Sequence, residues 1–78
     1  KRRRARWEWR NAAGKGRSVF VDGVVVEVPG DVSPTGRKRT QPCATEHSAI
    51  LIAGRIAEEL AGREPGARKR RRYAFERR

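Results

Sequence analysis

The eleven residues SVFVDGVVVEV, 18–28, constrain this chain more than any other stretch. Two valine-rich runs flank Asp22-Gly23, the dipeptide favoured in two-residue hairpin turns because both of its residues tolerate the positive φ such turns demand. With Asp22 and Gly23 as the loop, Val21 faces Val24 and Val19 faces Val26. Together with Val28 these make one wholly apolar face, and Ser18, Phe20, Val25 and Glu27 occupy the other. The register is well specified, since a slip of one residue would turn the valine face to water.

Pro29-Gly30 ends the second strand, and PGDVSPTG (29–36) reads as a loop. RKRTQ (37–41) follows as a third strand at the sheet edge, limited by Pro42. Thr45 is a suitable helix N-cap, Glu46 suits the positive N-terminal end, and Gly62 marks the stop. At 100° per residue, Ala49, Ile52, Ala53, Ile56, Ala57 and Leu60 share a face, which is expected to cover the valines. His47, Leu51, Arg55, Glu58 and Glu59 point away.

The two ends show the period of a strand. In RWEWR (6–10), Trp7 and Trp9 share a face; in RYAFE (72–76), Tyr73 and Phe75 do. AAGKG (12–16) and GREPGA (62–67) are flexible enough to let either end fold back, so at least one is expected to join the sheet. The expected fold is α+β: a small antiparallel sheet of three to four strands with one α-helix packed on one face. Its organisation reads as a basic aromatic segment 1–10, a sheet-plus-helix core 11–67 and a second basic aromatic segment 68–78. A chain of 78 residues supports one small core.

The net charge of +11 is confined to the ends. The first holds Lys1, Arg2, Arg3, Arg4, Arg6 and Arg10 against Glu8; the last holds Arg68, Lys69, Arg70, Arg71, Arg72, Arg77 and Arg78 against Glu76. Residues 11–67 carry seven basic and seven acidic side chains. Cations interleaved with aromatics suit nucleic acid: the cations meet phosphate and release counterions, and ring faces stack on bases. Solvated tails, or an acidic protein or membrane surface, are the competing readings of such charge runs.

Other chemistries lack their residues. No disulfide forms from the single Cys43, which points to a reducing, cytoplasmic setting. No run of about 18 apolar residues or secretory pattern is present. The chain starts at Lys1 and has no methionine, as a fragment or processed form would. Cys43 and His47 could supply half a metal site or a nucleophilic pair. They read more simply as a packed thiol at the sheet–helix junction and a solvated imidazole. GKG (14–16) lacks the phosphate-loop pattern, and adjacent Glu58 and Glu59 diverge. No metal, cofactor or catalytic residue is expected, and the chain reads as a non-enzyme.

VVVEVPGDVSPTGRKRTQPCATEHSAILIAGRIAEEL (24–60) resembles the small N-terminal, arm-type or AP2-like DNA-binding domain of phage-type tyrosine recombinases. The matching pieces are Gly36-Arg37-Lys38-Arg39, before the third strand, and Thr45-Glu46-His47-Ser48-Ala49, which opens the helix. The aromatic usual before that threonine is replaced by Cys43-Ala44. The resemblance implies a three-stranded sheet lying in a DNA groove with the helix behind it, and Lys15, Arg17, Arg37, Lys38 and Arg39 as sheet-borne contacts.

The expected function is therefore nucleic-acid binding, DNA ahead of RNA, in a nucleoid or ribonucleoprotein setting. Phosphates would be held by Arg2, Arg3, Arg4, Arg6, Arg10, Arg68, Lys69, Arg70, Arg71 and Arg72. Trp7, Trp9, Tyr73 and Phe75 would either stack on bases or anchor the ends. The alternatives are an RNA-binding accessory protein of a ribosome or other ribonucleoprotein, and a structural or self-associating module such as a virion component, with Leu51 and the Phe20–Val25 face as contacts.

Overall fold

The valine-rich hairpin forms, but its turn lies one residue beyond the expected place. In a computed structural model, which describes residues 3–64, 66 and 68–77 (Arg3 and 68–77 as backbone only), strand β2 spans Gly16–Asp22 and β3 spans Val25–Val28. Asp22 pairs with Val25, Val21 with Val26 and Phe20 with Glu27, so Gly23-Val24 is the loop. Gly23 has φ +64°, and no described non-glycine residue has a positive φ. That is the type II′ pattern, in which glycine alone carries the left-handed conformation; an Asp22-Gly23 loop of type I′ would have forced Asp22 there too. The shift moves the pairing by two residues and so preserves the faces. Val19, Val21, Val26 and Val28 are buried, and only Val24 leaves the core, 41% exposed at the turn.

Both ends are strands of the same sheet. Strand β1, Arg3–Arg10, pairs antiparallel with β2, and β5, Arg68–Arg77, pairs antiparallel with the other side of β1. Strand β4, Arg39–Pro42, pairs with β3, giving five strands in the order β4-β3-β2-β1-β5. The α+β class is the one the sequence implies, and the sheet is five strands wide because both ends join it. Its edges resist further pairing: β4 has four residues and ends in Pro42, and β5 is rich in arginine. Arg37 and Lys38 remain in the loop ahead of β4.

The segment 12–16, read as a flexible linker, lies mostly in a structured hairpin loop, 11–15, with Gly16 opening β2. Asn11 N–H donates to the Lys15 carbonyl (3.0 Å), Gly14 N–H to the Asn11 carbonyl (2.9 Å), and Lys15 N–H to Asn11 Oδ1 (2.9 Å). Gly14 takes φ +81°, which lets the chain turn back into β2.

Helix α1, Glu46–Arg63, starts as its sequence predicts, with Thr45 Oγ1 accepting from Ser48 N–H at 3.0 Å. It does not stop at Gly62. It runs one residue further and exits through extended Glu64, whose N–H bonds the Ala61 carbonyl at 3.2 Å. Arg17 holds the Glu64 carboxylate at 3.1 Å, so the exit is fixed by a side chain and needs no left-handed glycine. The buried stripe is Ala49, Ala53, Ala57, Leu60 and Ala61, with Ile52 and Ile56 partly buried. Alanines let the helix approach the sheet closely, and the bulk comes from below, from Trp7 and Trp9 of β1. No helix of the described residues is long and apolar enough to cross a membrane.

Candidate nucleic-acid interface

Alternation along β1 divides its aromatic and cationic residues between two surfaces. Ala5, Trp7 and Trp9 face the helix; Arg4, Arg6, Glu8 and Arg10 face the side of the sheet with no helix on it. Trp9 is 2% exposed. Trp7 donates its indole N–H to the Ile50 carbonyl at 3.0 Å. Its ring lies so close to Gly54 that a Cβ there would stand 2.9 Å from Cζ2. Of the two roles expected for the tryptophans, the structure has the anchor: neither ring is presented for stacking on a base.

The remaining sequence candidates separate in the same way. Arg17 is on the helix side of β2, its side chain 17% exposed, bound to Glu64 and to the Asp31 carbonyl at 2.6 Å. It holds the helix exit to the loop after β3 and is not a free surface cation. Arg39 stands in register with Val28 and lines a groove of about 360 Å³ between β4 and α1, on the helix side. Lys15 and Arg37 are exposed in loops, and Lys38 reaches Glu27 at 3.9 Å. The side chains of Arg68, Lys69, Arg70, Arg71, Arg72 and Tyr73 lie outside the described residues, as does Arg2 entirely.

What the fold does bring together is the two cationic ends. Arg3 pairs with Arg77, Arg4 with Glu76, Arg6 with Ala74, Glu8 with Arg72 and Arg10 with Arg68. The two strands carry ten basic residues and two acidic ones. Segments almost a chain length apart thus form one two-stranded ribbon.

Phe20 is the functional candidate that the reading of the charge runs passed over. It is on β2, the middle strand, on the helix-free face, and partly exposed. Arg6 is directly opposite it in register, and the Arg4 guanidinium carbon lies 5.9 Å from its ring centroid. Arg6 also meets Glu8 at 3.4 Å, and Arg10 donates to the Gly14 carbonyl at 3.1 Å while remaining exposed. The Phe20 side was legible from the strand alternation; its arginine neighbours were not, because they belong to a strand whose pairing the sequence leaves open.

Cys43 packs partly buried against the core, its N–H bonded to the Val24 carbonyl at 2.8 Å, and His47 is exposed on the helix. The described residues hold no group of three or more His, Cys, Asp or Glu suited to a metal ion. Comparison with protein-family models, curated proteins and solved structures finds no match to this chain.

Proposed function

We propose that this protein is a non-enzymatic nucleic-acid-binding module that holds the phosphate backbone along the β1–β5 ribbon, DNA ahead of RNA. The observation that carries the reading is the pairing of β1 with β5, which merges both charged ends into one strip of ten basic and two acidic residues. Such a strip matches a polyanion, whereas the 57 central residues balance. The arginines also suit phosphate better than lysines would, through bidentate donation.

The recombinase-like resemblance points to the same class of ligand through different residues. It would use Lys15, Arg17, Arg37, Lys38 and Arg39, of which Arg17 is engaged by Glu64 and Arg39 is on the helix side. Those placements favour the ribbon. The ribonucleoprotein reading, with its cytoplasmic setting, differs only in preferring RNA and is decided by titrating DNA and RNA of equal length in parallel.

The test is the salt dependence of binding to a labelled duplex. Affinity falls steeply with salt, at about 0.9 in log–log slope per neutralised phosphate. Arg4→Ala combined with Arg10→Ala lowers that slope, whereas Arg17→Ala leaves it unchanged. Absence of binding to duplex and single strand alike at low salt, or binding indifferent to salt, refutes the reading.

A further inference from the structure

The helix-free face changes character across its width. Arg4, Arg6 and Arg10 stand on β1, beside β5; Phe20 is in the middle; Glu27 and Val25 lie on β3, with Asp22 at the hairpin end of β2. Glu27 is only loosely matched by Lys38, at 3.9 Å. With Glu8 among the β1 arginines and Asp22 opposite Arg4 in register, the face still grades from a net cationic β1 side to a weakly acidic β3 side.

A duplex presents phosphates on both flanks of whichever groove is occupied, so one of its strands would lie over the acidic side. A single strand has its phosphates along one margin and its bases along the other. Its bases have ring faces that aromatic side chains stack on, and exocyclic amino groups that carboxylates can accept from. The centre of the face has the matching feature: a shallow recess of about 60 Å³ lined by Arg4, Ala5, Arg6 and Phe20. The Nε–H groups of Arg4 and Arg6 are turned away from solvent without an acceptor among the described residues. Arginines lifted from that position toward a phosphate would exchange unsatisfied donors for charge-assisted bonds and uncover the Phe20 ring.

We infer that the helix-free sheet face binds single-stranded nucleic acid, phosphates along β1 and β5, with a base stacked on Phe20. This rests on the nucleic-acid reading above and sharpens it to a strand state. The two tryptophans, being under the helix, take no part.

The experiment titrates the full chain with a labelled single strand of about twelve nucleotides, as DNA and as RNA, and with the corresponding duplex, at low and moderate salt. The single strand is expected to bind more tightly than the duplex. Phe20→Leu is expected to weaken single-strand binding about tenfold, the loss of one stacked base, without changing its salt slope or duplex binding; Phe20→Tyr restores it. Ring-proton resonances of Phe20 in the unaltered protein supply a reading that does not depend on a variant folding: they shift on addition of the single strand. Duplex binding as tight as single-strand binding, an unaffected Phe20→Leu, or unmoved ring resonances would overturn the inference while salt-sensitive binding left the broader reading in place. No salt-sensitive binding to any strand overturns both.

Discussion

Gly54 in the interior of α1 costs the helix about 1 kcal/mol relative to alanine, and the reason it stands there is Trp7. The indole ring occupies the space a side chain would need, and the bare turn lets its N–H reach the Ile50 carbonyl at 3.0 Å. Gly54→Ala should therefore destabilise the protein despite the better helix former, by about 1–2 kcal/mol, since forcing a ring 2.9 Å from a new methyl carbon is overpacking. Urea denaturation checks this; a stabilised variant would mean that Trp7 is not seated on the helix. At this scale the sequence was informative about faces and silent about partners. That Trp7 and Trp9 share a side follows from alternation alone. That the side is the core, and that Arg17 is spent on Glu64, depends on residues 43 and 47 positions away, which local periodicity does not connect.

The elements were legible where a local rule sufficed. The helix start follows from Thr45, its buried stripe from the 3.6-residue period, and the hairpin from its valines and glycine. The turn was misplaced because Asp-Gly satisfies two turn types, and the choice is made by which residue must adopt positive φ. Val24 distinguishes the two registers. At the observed turn it is exposed, so Val24→Ala should change stability by less than about 0.5 kcal/mol. Val26→Ala, at a residue with no exposure, should cost about 2 kcal/mol. Thermal or urea unfolding of the pair checks this, and equal costs would restore the Asp22-Gly23 loop. The width of the sheet was less legible, because both ends have strand periodicity and only their pairing with each other, across the whole chain, makes them neighbours.

For the whole molecule, the same ribbon that suits a polyanion strains the fold. Like charges on adjacent strands repel, and that repulsion is screened as the Debye length falls from about 30 Å at 0.01 M salt to about 8 Å at 0.15 M. The melting temperature should accordingly rise by several degrees as sodium chloride is raised over that range, opposite to the effect of salt on the proposed binding. Calorimetry checks it, and a flat response would mean the two strands are not held side by side. The ribbon also sets an order of events. Its pairs join residues such as Arg10 and Arg68, or Arg3 and Arg77, the widest separations in sequence within the sheet. Contacts of that span close late, after the hairpin and helix have shortened the intervening loop. A chain emerging from synthesis therefore makes its first strand long before that strand's outer neighbour exists. Until β5 arrives, β1 waits with an unpaired edge, and the interval of greatest exposure to misassembly coincides with the absence of the complete cationic ribbon.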